Sequence, residues 1–312
     1  MHDDYPFLSQ TKPHCPQSLL DRARGLPVPR VALVNAGAAI PLQGLREAME
    51  LGLAAPVLIG DTAKITAAAA QIGWDITGLP LIHAPGDAAA PKAAELARDG
   101  AVDMIMKGQV HSSTFLQGLL PSAAGLRAKT TRCAHIMHIT TPQSDRPLLL
   151  TDAALNVNPD VATRQAALSL AVQLAQRLGI ATPRAGILAP TEDVVATIPF
   201  TGEAAIIAAW AKTALPQAVV EGPMALDLIF SRAAAAAKGF ASDVAGNADI
   251  MLVPNITSGN AIFKLMSLGM GCCAAGIVLG AKVPILLTSR SQTSADRIAS
   301  AALGMIAVGM TA

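Results

Sequence analysis

Lys282-Val-Pro-Ile-Leu-Leu-Thr-Ser-Arg-Ser-Gln-Thr-Ser-Ala-Asp296 carries a complete strand-to-helix transition. Its apolar run, Val283–Thr288, is too short for a core helix and too evenly hydrophobic for a strand with one wet face. It therefore predicts a strand covered on both sides. Thr288 to Ser294 reads as a polar turn, and a helix is expected to begin near Ala295. Working outward, the same alternation recurs along the chain. Strands are expected at 31–36, 56–60, 79–84 and 103–108, and again at 185–189, 218–222 and 250–254, with Ala-rich helical segments between them. Two strands in the middle, 134–140 and 147–152, are separated only by Thr141-Pro-Gln-Ser-Asp-Arg146, which is hairpin spacing. Continuously apolar strands alternating with helices predict an α/β fold: two three-layer α/β domains with a cleft between them. Asn158-Pro159-Asp160 should start the helix after the hairpin, with Asn158 as N-cap, and Gly179 should stop it.

Composition narrows the function. The chain has 312 residues, 52% hydrophobic but only 14% charged, and a formal net charge of +1. Near-neutrality argues against nucleic-acid binding, which needs a concentrated excess of Lys and Arg. The mean hydropathy of +0.45 raises a membrane reading. The longest uncharged candidate, Leu265–Ala281, holds four glycines and falls short of the roughly 20 apolar residues a spanning helix needs. No basic-then-apolar leader opens the chain, so a cytoplasmic protein with no membrane partner is expected. Cys15, Cys133, Cys272 and Cys273 form no zinc or C-x-x-C spacing, and the vicinal pair reads as small buried hydrophobes. His135 and His138, three apart in a strand, face opposite ways and make a poor metal pair. No metal site is expected. Phosphate-loop, dinucleotide-loop and nucleophile-elbow motifs are all absent.

Polar residues interrupt the apolar runs at the carboxyl ends of several expected strands, where open α/β sheets place their sites. They are Lys107-Gly108, Thr151-Asp152, Thr191-Glu192, Glu221-Gly222-Pro223, Asn255 to Asn260, and Ser289-Arg290 followed by Asp296. Strands must end and loops are polar, which accounts for part of the set. Ser289-Arg290 stands out because it leaves a buried strand just before a helix N-terminus, where free N–H groups and a forked guanidinium favour phosphate or carboxylate. Asp296 suits the first helical turn on dipole grounds alone.

At these residues the chain resembles the phosphate acetyl/butyryltransferase family, in its butyryltransferase-like branch. Ala275-Gly-Ile-Val-Leu-Gly-Ala-Lys-Val-Pro-Ile-Leu-Leu-Thr-Ser-Arg290 is similar to the family's C-terminal signature, and Glu221-Gly-Pro-Met-Ala-Leu-Asp227 to its D-G-P-L-A-x-D. Val244-Ala-Gly-Asn-Ala-Asp-Ile-Met-Leu-Val-Pro254, Gly259-Asn260 with Lys264, Met106-Lys-Gly108, and Leu149-Leu-Thr-Asp-Ala-Ala-Leu-Asn156 match further elements in order. The resemblance implies an isocitrate/isopropylmalate dehydrogenase-like fold. Domain I would comprise residues 1–128 plus 280–312, with 1–25 a loose leader, and domain II residues 129–279.

The resemblance also implies an acyltransferase that moves a short acyl group, acetyl or butyryl, between coenzyme A and inorganic phosphate by direct thiolate attack on acyl phosphate. Coenzyme A and phosphate are then substrates, with no tightly bound cofactor or metal. A homodimer is implied, together with functional coupling to a kinase that uses acyl phosphate. Asp296 would take the thiol proton, Ser289 would hydrogen-bond the thiol or the oxyanion, and Arg290 would hold the phosphate. The implied substrate-binding set is Lys107, Gly108, Asp152, Glu221, Gly222, Pro223, Gly259, Asn260 and Lys264.

Three departures accompany the match. Gln117 stands where the family's acetyltransferases carry Arg, leaving Lys107 and Arg132 as candidates to supply that charge. Glu221 replaces Asp, and 191–199 lacks the Lys of the corresponding family pattern. Two other readings compete: a non-catalytic paralogue that binds coenzyme A or acyl phosphate, and a nicotinamide-dependent dehydrogenase of the same fold. The only tyrosine, Tyr5, lies in the leader, which counts against a Tyr-dependent dehydrogenase.

Overall fold

The computed structural model describes residues 5–288 and 292–310. They form a mixed α/β protein that divides into two compact units. Of the described residues, the first takes in 13–131, 275–288 and 292–310; the second takes in 5–12 and 132–274.

In chain order the elements of the first unit are α1 (Gln17–Ala23), β1 (Arg30–Val34), α2 (Ala39–Glu50), β2 (Ala55–Gly60), α3 (Thr62–Gln71), β3 (Leu81–His83), α4 (Ala89–Arg98), β4 (Met104–Lys107) and α5 (Ser112–Leu119). The second unit holds β5 (Ala134–Thr141), β6 (Ser144–Thr151), α6 (Val161–Arg177), β7 (Arg184–Leu188), α7 (Pro199–Ala214), β8 (Val219–Met224), α8 (Leu226–Phe230), α9 (Arg232–Ala237), β9 (Ile250–Leu252) and α10 (Ile256–Lys264). A π-helical turn, Leu265–Gly269, prolongs α10. β10 (Cys273–Leu279), which enters the first unit at Ala275, β11 (Ile285–Leu286) and α11 (Ser294–Ala307) complete the first unit.

The first unit's strands lie in the order β3-β2-β1-β4-β11-β10. All neighbours are parallel except β10 and β11. The second unit's order is β5-β6-β9-β7-β8, with the β5–β6 hairpin antiparallel and the rest parallel. Parallel strands need crossovers, which the helices supply. The hairpin expected from the short polar spacer is present, its register running from Ile136↔Thr151 to Thr141↔Ser144.

The high apolar content lies in this interior. Every residue of β4 and β10 is buried, as are 31–34 of β1. On α4 the buried positions are Ala89, Ala90, Ala93, Ala94 and Ala97, a helical stripe of small side chains that lets the helix sit close to its neighbours. No described helix is long and apolar enough to cross a membrane. Cys133, Cys272 and Cys273 are buried and unbridged, and burial pushes the Cys272 thiol up, away from the reactive thiolate form.

Close packing sets one strict requirement on α11. A Cβ at Gly304 would stand 2.3 Å from Met104 Sδ and 2.8 Å from a Leu286 methyl. Gly304→Val is therefore expected to destabilise the protein by about 1–3 kcal/mol through overpacking. Equilibrium urea unfolding reads this, and an unchanged midpoint would refute the close approach of α11 to β4 and β11.

Several expectations need correction. Residues 1–25 are not a uniform leader: α1 buries Leu19 and Ala23 against α11, and the described residues 5–12 group with the second unit. Ser9 N donates to Leu268 O at 2.8 Å, which ties this segment to the π-helical turn. The unit boundaries fall after 131 and 274, where the sequence suggested 128 and 279. β10 was not anticipated as a strand. α6 is capped by Asp160 rather than Asn158. Asp160 is extended and its carboxylate accepts from Thr163 N at 2.7 Å, so the helix begins two residues later than expected.

Candidate active site

In the first unit two of the expected site residues, Lys107 and Gly108, lie at the carboxyl end of β4, beside the end of β1. Lys107 ends β4 and is only 6% exposed. The chain then runs against the end of β1: Gly108 N donates to Val34 O at 2.9 Å, and Gln109 N to Asn35 O at 3.0 Å. A Cβ at Gly108 would stand 2.3 Å from Val34 O, so only glycine permits this approach. Here a pocket of about 180 Å³ opens, lined by Ile40, Pro41, Lys107, Gly108, Gln109, Thr288 and Arg297. Ile40 and Pro41 belong to the first turn of α2, which has neither a side-chain cap nor an acidic residue. Pro41 has no N–H, and Ala38 N and Leu42 N are bonded to Ala36 O and Ala38 O, so the N–H groups of Ala39 and Ile40, with the helix dipole, add the positive potential beside two cationic side chains.

Ser289 and Arg290 lie outside the described residues, immediately after the pocket residue Thr288 in the chain. Asp296 is described and is 1% exposed. It is the third residue of α11 and forms a capping box with Thr293. Its Oδ2 accepts from Thr293 N at 2.7 Å and from Thr293 Oγ1 at 2.8 Å, while Thr293 Oγ1 accepts from Asp296 N. The cap therefore fixes the carboxylate in place as well as starting the helix.

Arg297, next to Asp296, was missed by sequence reasoning. Its Nη1 donates to Gln292 O at 2.6 Å, and its stem crosses α2 where Gly44 leaves room; a Cβ at Gly44 would lie 2.7 Å from Arg297 Cδ. One signal was available. A cation in the first turn of a helix opposes the dipole, so it calls for another reason to be there.

In the second unit three of the expected residues meet. The Asp152 carboxylate, at the end of β6, is fully engaged. Oδ1 accepts from Ala154 N and Leu155 N, and Oδ2 accepts from His135 N at 2.9 Å and Asn156 Nδ2 at 2.7 Å. Asp152 O lies where a Cβ on Gly259 would be 2.4 Å away, and Asn260 Nδ2 donates to Ala153 O at 3.2 Å. The β6 loop and the start of α10 are thereby locked together. Asn255 starts α10, its side chain accepting from Ser258 N at 3.0 Å.

Glu221 is held apart from this cluster. It accepts from Ser242 Oγ and, at 3.2 Å, from Asp243 N, while Gly222 packs against Ile187 and Pro223 is buried. Lys264 is exposed at the end of α10, 5.8 Å from the Phe263 ring centre. Asn260 and Lys264 are four residues apart on α10 and so share a face. Arg132, a candidate to replace the family Arg, instead donates to Thr163 Oγ1 at 3.0 Å at the start of α6. Among the described residues no group of three or more His, Cys, Asp and Glu is placed to hold a metal ion.

Comparison with known proteins agrees with the motif reading. A family model described as "Phosphate acetyl/butaryl transferase" matches residues 86–305. The chain is 38% identical over 267 residues to a phosphate acetyltransferase of Rhizobium meliloti, covering 85% of this chain and 84% of that one. It is 34% identical over 270 residues to a phosphate butyryltransferase of Clostridium acetobutylicum, covering 86% and 89%. A branched-chain phosphotransacylase from Enterococcus faecalis superimposes with a TM-score of 0.75 at 27% identity, over 89% of this chain and 99% of that one. The chain belongs to the phosphate acetyl/butyryl transferase family.

Proposed function

We propose that this enzyme transfers a short acyl group, acetyl or butyryl, reversibly between coenzyme A and inorganic phosphate. The observation that carries the reading is the cationic pocket of Lys107 and Arg297 next to Thr288, which precedes Ser289-Arg290 in the chain. In the coenzyme-A-consuming direction Asp296 accepts the thiol proton as the sulfur attacks the acyl carbonyl carbon. The C–S bond forms, Ser289 donates to the thiol or the developing oxyanion, and the C–O bond to phosphate breaks. Arg290 takes the leaving phosphate. An ordinary Asp and an ordinary thiol differ by about 4.6 pKa units. Concerting proton transfer with attack avoids a free thiolate intermediate.

Asp152, Glu221, Gly222, Pro223 and Gly259 serve this chemistry by shaping backbone. Asn260 and Lys264 are left to contact coenzyme A directly, and Lys107 and Gly108 to contact the anion. No tightly bound cofactor or metal is required by this scheme. A cytoplasmic homodimer fits the exposed apolar side chains of Tyr5, Phe7, Leu265, Leu268 and Met270 around the π-helical turn. Acyl phosphate made by the enzyme would suit a kinase that uses it.

A thiol-release assay over a series of acyl-CoAs, with and without phosphate, tests the activity. Phosphate-dependent release with a short-chain optimum, abolished by Arg290→Ala, is expected. Coenzyme A binding without release would favour the non-catalytic paralogue.

A further inference from the structure

We infer that the pocket between the start of α2 and the end of β4 is a phosphate-binding subsite in which Arg297 is the principal charged donor. Three independent features support this. The pocket is lined by two cations, Lys107 and Arg297, from β4 and α11, elements far apart in sequence. Among the described residues no carboxylate lies within ion-pairing distance of Arg297, and its Nε is buried without a hydrogen-bond partner. The uncapped first turn of α2 brings its dipole and the N–H of Ile40 to the same opening, Pro41 having no N–H to give.

The fold also holds Arg297 in this position at some expense. A cation in the first turn of α11 opposes the dipole. Gly44 in the middle of α2 forgoes the helix propensity of alanine and leaves the space that the Arg297 stem occupies. Nη1 is tethered to Gln292 O, which limits the rotation of the guanidinium. A solvated surface arginine needs none of these provisions. Glu47, one turn along α2 from Gly44, accepts from Ser294 Oγ, so its charge is engaged with the start of α11.

The ligand class is a phosphate group, because planar guanidinium, ammonium and helix N–H groups together match a tetrahedral oxyanion. Its source is either inorganic phosphate (equally, the phosphate of an acyl phosphate) or a phosphate of coenzyme A. That these are the enzyme's substrates rests on the function proposed above.

Calorimetric titration of the full-length protein with inorganic phosphate and, separately, with coenzyme A tests the subsite without requiring turnover. Arg297→Gln should weaken one of the two by roughly tenfold to a hundredfold, the scale of a lost hydrogen bond to a charged group. Loss in the phosphate arm assigns the subsite to the transferred phosphate, and loss in the coenzyme A arm assigns it to the nucleotide. Gly44→Ala, which displaces the Arg297 stem, should weaken the same ligand by a smaller factor. Unchanged affinity for both ligands in Arg297→Gln, with an unchanged unfolding temperature, overturns the assignment. Failure of the acyl-transfer reading would look different: no acyl-CoA turned over by wild-type enzyme, with the Arg297-dependent binding intact.

Discussion

Asp296→Asn is expected to lower turnover by about two to four orders of magnitude, the range for loss of a general base, while the protein remains folded and still binds coenzyme A. The geometry makes this substitution unusually clean. Asp296 is both the proposed proton acceptor and the capping partner of Thr293. An Asn keeps a side-chain oxygen to accept from Thr293 N and Oγ1, so the cap and the start of α11 survive. What it loses is the capacity to take a proton. A structural account and a catalytic account therefore separate. If Asp296 only caps, Asn should behave nearly as wild type in both stability and turnover. If Asp296 is the base, kcat falls and thermal stability stays. Thr293→Ala provides the reverse comparison. It removes a helix cap worth about 1 kcal/mol and frees the carboxylate to move, so stability and turnover should decline together and modestly. Steady-state kinetics with thermal unfolding on both variants decides the question, and near-normal turnover in Asp296→Asn would end the base assignment.

Much of the fold could be read from the chain because its strands are apolar on both faces and end abruptly. The expected strand at 103–108 is β4 at Met104–Lys107, and the polar spacer after Thr140 is the β5–β6 turn. β10 escaped because a fully buried strand rich in Gly and Ala shows no alternation. Within Leu265–Ala281 that run is equally compatible with a buried helix, and only pairing with β11 resolves it.

The site was legible where motif and strand end coincide, as at Lys107-Gly108. It was not legible where a role depends on three-dimensional packing. Arg297 reaches the pocket, which Lys107 also lines, where Gly44 admits its stem, and nothing local links positions 44, 107 and 297. Asp152 shows the converse: a conspicuous carboxylate at a strand end, committed to the hydrogen bonds that order its own loop.

Acidification should cost this protein stability in a window set by a buried histidine. His138 lies in β5 at 3% exposure, and burial pushes its imidazole down to about 4 from an ordinary 6.5, with a backbone hydrogen bond and then Asp145 opposing. The unfolded chain therefore takes up this proton at a higher pH than the native protein does. The stability the neutral imidazole contributes is complete above about pH 6.5, declines as the pH falls toward 4, and is gone below that. Two and a half pKa units correspond to about 3 kcal/mol in all. His135, also in β5, is shifted down by burial too, with Asp152 opposing, so it adds loss in the same direction. The Arg30–Asp103 pair, which holds the Asp103 carboxyl below its usual range, begins to lose its contribution only further down in pH, as carboxylates protonate. Urea unfolding at pH 7.5 and pH 4.5 isolates the histidine part when wild type is compared with His138→Leu. The leucine variant has its own packing cost, but that cost is the same at both pH values and cancels in the difference. Wild type should lose about 2–3 kcal/mol more than the variant between the two conditions. Equal losses would mean that His138 titrates alike in the folded and unfolded chain, free to reach water as it protonates, which does not fit a side chain enclosed in the sheet.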